Sequence, residues 1–347
     1  MEREEVIKLI KSARYEGEIP DLRRGDLRQT DLRHVDLRGA NLAGVNLAGT
    51  DLVGVNLRRT NLSGANLSQA NLVGAHPHGA NFSEANLSGA NLTGDRLETA
   101  DLRRANLSQA SLSQSRLRSA KLTEATLHET NLQESDLSAA NLGQADLRRA
   151  NLRAARLVEA DLHLANLQEA NLSQANLSRS RLTGANLTTT DLREANLSQA
   201  DLRQVDLRKT YLPGIILEAA LLSEADLQGV DLRGINLQRA DLSRANLYKA
   251  HLEGADLRGA NLSGANLAGA DLSQAELSGA NLSEADLREA TVTADQLELA
   301  KTLSGTMMPD GTKHPVESNQ RGQSRANRKP DMSRLAAVAA RLRNKPE

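Results

Sequence analysis

His76 and His78, two residues apart, are the first side chains in this sequence whose type and spacing suggest chemistry. A pair of imidazoles at that spacing is able to share a metal ion. Pro77 stands between them and Asp95 follows, so His76, Pro77, His78 and Asp95 form a candidate irregular site. Other chemistry is scarce. There is no Cys, which removes thiolate metal sites, cysteine nucleophiles and disulfide frameworks together. There is no G-x-S-x-G elbow, no H-E-x-x-H and no Gly-rich loop leading from a strand into a helix. The reading is a protein with no catalytic residue and no cofactor.

The elements that must position these residues come from a repeat. Leu recurs at every residue number ending in 2 or 7, from Leu22 to Leu297, in 53 of 56 consecutive units; Pro77, Phe82 and Val292 replace it. With Leu at position i, position i−2 is Ala in 36 units, and position i−1 is Asn in 23 and Asp in 18. On an α-helix five residues advance about 500°, so successive Leu would wander round the whole surface. On a flat strand an odd step alternates faces. The pattern fits a chain that turns a corner once per unit. Then i−2 and i point inward, i−1 and i+1 point outward, and coils stack about 4.8 Å apart. Only four residues are aromatic, so Leu and Ala must fill such a core.

The motif A-(N/D)-L-(S/R)-X, as at Ala65-Asn66-Leu67-Ser68, resembles the pentapeptide-repeat family, and the resemblance covers about four fifths of the chain. It implies an all-β solenoid: a right-handed, four-sided parallel β-helix of four units per coil. Fifty-six units then give about 14 coils and a rod about 65 Å long at the strand spacing. Residues 20 apart stack directly. Asp95, Ser115 and Ser135 fall in one inward column, a polar ladder beneath a proline bulge or short loop. Arg58 and Arg96 become neighbours of the two histidines and repel a cation, so the reading there is no metal.

An open stack must be covered at both ends. Residues 1–19 read as a capping helix with Val6, Ile7, Leu9, Ile10 and Ala13 on one face. Residues 20–292 read as the β-helix, and register fails after Val292. Residues 293–315 read as a second cap: Thr293 to Gln296 form a capping box, Leu297 begins the cap rather than a coil, and a turn follows at Met308-Pro309-Asp310-Gly311. Short α-helical caps at both ends make the expected molecule a monomer. Residues 316–347 read as a basic, largely disordered tail with one marginal helix at 331–343; from residue 313 onward nine basic groups face three acids.

The whole chain carries 43 basic and 44 acidic residues, so no global field steers it to nucleic acid or an anionic membrane. No stretch approaches 18 apolar residues, which predicts no transmembrane segment and a cytoplasmic protein. Arg occupies i+1 in 12 of the 18 units with Asp at i−1, but in 2 of the 23 with Asn. Such pairs quench the surface. Some relatives of this kind mimic DNA and bind gyrase, which needs bare carboxylates; the pairing makes that the alternative. Arg96, Arg116 and Arg156 share one face and make it locally basic, relieved in part by Asp136 and Glu98. Tyr211, Ile216 and Leu221 take i−1 positions that are elsewhere polar, and Tyr248 lies at i+1 further on. These four are candidate contacts for a protein partner. The sequence thus reads as a non-enzymatic interaction scaffold with an unidentified protein partner, and with no nucleic acid bound by the rod. Tethering through the basic tail is a weaker alternative.

Overall fold

A computed structural model describes residues 1–23 and 26–316. The chain forms two compact units. The first comprises Met1–Asp201 with Lys209–Leu212, and the second Leu202–Arg208 with Pro213–Glu347.

Both units are built from the same coil. A turn recurs in every unit of five, and parallel bridges join i−1 residues 20 apart, as in Asn41↔Asn61↔Asn81 and Asn236↔Asp256↔Glu276. One coil therefore takes four units. The Asn61–Ala65 unit shows the bonding. Asn61 N–H donates back to Ala40 O at 2.9 Å, Leu62 N–H forward to Asn81 O at 2.7 Å, and Gly64 N–H to Ser83 O at 2.8 Å. Ala65 N–H closes the corner on Leu62 O at 3.0 Å. With Ser63 N–H on Asn61 Oδ1, every backbone N–H of this unit has a partner. Among the described residues the bridges are isolated single residues, within the short strand-like segments that a corner once per unit implies. A corner every five residues leaves no room for longer pairing.

The i residues are buried throughout and the i−2 residues almost throughout. Position i+2 adopts positive φ almost throughout, whether it is Gly or not, as at Gly64 (62°), Gln69 (59°) and Glu84 (59°). His76, at 49°, is the one non-glycine residue of positive φ among the described residues that stands elsewhere.

The i−1 residue ties the corner. Asn61 Oδ1 accepts from Ser63 N–H at 3.2 Å, while its amide donates to Asn41 Oδ1 and Asn81 donates to it, each at 3.1 Å. Asparagine thus bonds along the stack as well as within its own turn. Aspartate has no donor, and its second oxygen recruits the i+1 arginine. Arg103 grips Asp101 through Nε at 2.8 Å and Nη2 at 2.6 Å. Hydrogen bonds from Arg233 and Arg258 pull the Asp231 and Asp256 carboxyls down to about 2. Position i+1 is not uniformly outward, however. Ser173 is 8% exposed, and its hydroxyl donates to Asn171 Oδ1 at 2.7 Å. A short side chain at i+1 folds back on the i−1 oxygen, whereas a long one reaches solvent.

Helix α1 (Arg3–Tyr15) opens the first unit with a reciprocal Glu2–Glu5 capping box and buries Val6, Ile10 and Ala13. It is fastened to the first coils by charge-assisted bonds. Arg3 donates to Asp31 O at 2.7 Å, and Arg14 donates to the carbonyls of Asp36 and Arg38 at 3.1 Å.

In the second unit, helix α2 (Ala294–Glu298) starts on the Thr293–Gln296 capping box and buries Leu297. The Gln296 amide donates to Leu272 O at 2.8 Å and Ala275 O at 2.9 Å. Stacking then resumes with an offset of 21: Asn281 bridges Thr302 and Asp286 bridges Met307. Leu303 and Met308 take inward positions, 9% and 3% exposed, and Thr306 Oγ1 donates to Leu282 O at 2.6 Å. Part of the segment read as a cap therefore continues the coil, one residue out of register. An antiparallel bridge, Met307↔Lys313, follows it. The basic tail, including the helix expected at 331–343, lies from residue 317 outside the described residues.

Candidate functional site

The first unit carries one face on which the surface rules break down. Its i−1 column runs Asp36, Asn56, His76, Arg96, Arg116, Asp136, Arg156. Asp36 bridges Asn56, and Arg96 bridges Arg116, which bridges Asp136. The i+1 column beside it runs Arg38, Arg58, His78, Glu98, Arg118.

Between those two runs of bridges the ladder lapses. Pro77 has no N–H to give and is buried at the inward position. Neither Asn56 nor Arg96 bridges His76. Leu57 N–H, which by register should meet residue 76, instead meets Ala75 O at 3.0 Å. Yet the spacing of five survives, and Ala80 N–H still closes on Pro77 O at 3.0 Å. There is no bulge or loop here, only a reoriented peptide at His76.

Asp95 lies directly over this defect, 1% exposed. Burial pushes its carboxyl up to about 7, and the backbone N–H groups of Gly74, His76 and Ala75 pull it only partway back. None of the three closes to a full hydrogen bond on either carboxylate oxygen. The expected polar ladder of Asp95 with Ser115 and Ser135 does not form. Ser115 donates to Leu112 O and Ser135 to Leu132 O, each at 2.6 Å within its own turn.

Outside, the same coils form an open depression of about 680 Å³ lined by Arg14, Arg38, Gly39, Arg58, Arg59, His76, His78 and Arg96. The carboxylates at this surface lie beside the basin's own basic groups, although Glu98 Oε2 is buried without a hydrogen-bond partner. Asp36 holds Arg38 at 2.9 Å and Arg14 at 3.1 Å. Glu98 lies 3.5 Å from both His78 Nδ1 and Arg96 Nε. Among the described residues no carboxylate pairs with the guanidinium of Arg58 or Arg59. Arg59 stands in its column between Gly39 and Gly79, which leaves space on both sides. The structure thus brings His76, Pro77, His78 and Asp95 together, the two histidines lining an arginine basin and Pro77 and Asp95 buried beneath it. Arg14 and Arg59 were missing from the sequence reading. Arg58 carried a signal there, since it follows Asn rather than Asp.

Among the described residues no group of three or more His, Cys, Asp or Glu is arranged to hold a metal. The four apolar candidates are less coherent. Tyr211 belongs to the first unit, while Ile216, Leu221 and Tyr248 belong to the second. Tyr211 is 55% exposed and bridges Asp191, with the Arg193 guanidinium 5.3 Å from its ring centre. Ile216 and Leu221 are 39% and 38% exposed. Tyr248 is half-buried, with Lys249 over its ring at 5.1 Å.

The family model of pentapeptide repeats matches eight segments that run from residue 21 to 293 and leave only 95–99 and 169 out: 21–59, 60–94, 100–138, 130–168, 170–208, 200–239, 220–259 and 255–293. The chain belongs to the pentapeptide-repeat family. It is similar to HetL, a pentapeptide repeat protein involved in heterocyst differentiation regulation from the cyanobacterium Nostoc sp. strain PCC 7120. The two are 40% identical, over 67% of this chain and 91% of HetL, with a TM-score of 0.44. Rfr23 from the cyanobacterium Cyanothece 51142 is 29% identical over 39% of this chain and 90% of its own, with a TM-score of 0.17. Full-length QnrB1, a plasmid-mediated fluoroquinolone resistance protein, is 15% identical over 75% of this chain and all of its own, with a TM-score of 0.26. No curated protein sequence matches the chain. Among the described residues no helix is long and apolar enough to cross a membrane.

Proposed function

We propose that this protein is a non-enzymatic interaction scaffold that presents polar coil faces to a protein partner. The observation that carries the reading is the contrast between the arginine basin and the surface around it. Elsewhere Asp at i−1 and Arg at i+1 neutralise one another at 2.5–2.7 Å. Such exposed pairs add little stability, but they remove the field that would attract partners indiscriminately. The basin is open rather than enclosed, which suits docking and does not exclude water as catalysis generally requires. Affinity purification from the source cells, with the full chain and with residues 317–347 removed, tests the reading. One partner retained by both forms is expected. No specific partner, or loss of every partner with the tail, overturns it.

The alternative is a DNA mimic that binds gyrase. It needs a continuous stripe of uncompensated carboxylate, and the Asp–Arg pairing favours the scaffold instead. We expect no inhibition of gyrase supercoiling at low salt; potent inhibition that fades with added salt would promote the mimic. We also read the chain as a monomer, with α1 covering the first coils of the first unit and the 293–315 segment covering coils of the second, which light scattering checks.

A further inference from the structure

We propose that the basin lined by Arg38, Arg58, Arg59, His76, His78 and Arg96 is a docking groove for an acidic peptide segment of the protein partner. This deepens the scaffold reading and rests on it. The argument begins with the rule the surface obeys elsewhere. Arg at i+1 accompanies Asp at i−1, and the pair cancels its own field. Arg58 breaks that rule by following Asn56, Arg59 adds a second cation at i+2, and Arg96 places a third at i−1. Five guanidinium groups including Arg14 meet two carboxylates, Asp36 and Glu98, and both carboxylates already have cationic partners. The excess is local to one face. The neighbouring faces of the same coils present Asn61, Ser63, Asn81 and Ser83 on one side, and Asp51, Asn71 and Asn91 on the other.

The shape selects the ligand. Backbone bonds link Gly39 to Arg58 and Arg59 to His78, so the basic positions rise one coil at a time as far as the coil of Arg96, where Glu98 ends the i+1 run. At about 4.8 Å per coil, the three coils from Arg38 to Arg96 span roughly 14 Å, the length of about four residues of extended peptide. The guanidinium fork matches carboxylate geometry in two-point contact. An open basin gives a lone small anion little enclosure, whereas a segment with several carboxylates engages successive coils together. A duplex is wider than this single charged face, and no Phe, Tyr or Trp lines the basin to stack a base. The chain's own tail carries excess positive charge and is repelled.

The test is fluorescence anisotropy of a labelled, Glu-rich decapeptide titrated with the full chain. Binding that weakens with added salt is expected. Arg58→Gln combined with Arg59→Gln should weaken it about tenfold or more, while Arg233→Gln, in the second unit and paired with Asp231, should leave it unchanged. Both arginines are exposed, and circular dichroism confirms that the variants fold. Absence of salt-sensitive binding overturns the proposal, as does equal loss with Arg233→Gln. Tighter binding of a DNA duplex, lost in the same double variant, assigns the groove to nucleic acid and overturns it too. Failure of the scaffold reading is separate: the affinity purification then yields no partner, whatever the peptide does.

Discussion

The carboxylate of Asp95 faces the backbone N–H of His76, the one non-glycine residue with positive φ outside the i+2 columns among the described residues. Each accounts for the other. A proline at the next position removes one ladder donor, and the peptide before it has left its own ladder. An inward carboxyl in the coil above then meets amide hydrogens where a regular coil would offer a methyl group.

Asp95 should make stability depend on pH. The folded carboxyl titrates at about 7, against a usual value of 3.8. Between those values the folded state holds a proton that the unfolded state has released, so stability falls as pH rises through this window and levels off above it. At about 1.4 kcal/mol per pH unit, the loss reaches as much as about 4 kcal/mol. Asp95→Ser, which matches Ser115 and Ser135 in the same column, should remove this slope. Urea denaturation should find the variant more stable than the parent at pH 8 and nearly equal to it at pH 4. A constant difference across that range would mean that the carboxyl is not buried in the folded state.

Pro77→Leu restores both the missing N–H and the missing Leu. Its gain should be larger beside Asp95→Ser, where nothing holds the His76 peptide in its present orientation. A coupling of about 0.5–3 kcal/mol is the range for residues in contact. Strict additivity in the double-mutant cycle would separate the two features.

Gly64 has φ of 62° and no atom within 4 Å of where a Cβ would stand. Gly64→Ala therefore isolates the backbone cost of the left-handed conformation and should destabilise by about 1 kcal/mol. The reverse change, Ala154→Gly at 56°, should relieve strain of similar size. Thermal melts that left both variants unchanged would contradict the assigned turn.

Leu172 is fully buried, and Leu172→Ala should cost about 2–5 kcal/mol. Ser173→Ala removes a hydroxyl bonded to Asn171 and should cost about 0.5–1.5 kcal/mol. Chemical denaturation that ranked the two equally would show the inward column to be misassigned.

The inward columns are legible in the sequence because Leu and Ala are chosen by volume, and volume shows in residue type. The role of Asn at i−1 is less visible, because it depends on a residue 20 positions away as well as one two positions away. The coil beyond α2 escaped because Thr302 to Met308 repeats the pattern one residue late, and a strict count of five passes over it. The basin escaped in part because Arg14 comes from a helix and Arg59 from an i+2 position, and neither belongs to the columns in which charge was being compared. His76 could be noticed, but its backbone could not: proline reveals a lost donor, not the direction in which the preceding peptide turns.

Bridging at intervals of 20 also makes length a quantised property. Excising 20 residues within a unit returns every later side chain to its own column, whereas excising five sends each one round a corner to the next face. A tandem array of this kind can grow or shrink by whole coils with its surface pattern preserved, while smaller insertions or deletions scramble it. The extra residue beside α2 is such an offset: Thr302 and Met307 meet their partners 21 residues back instead of 20.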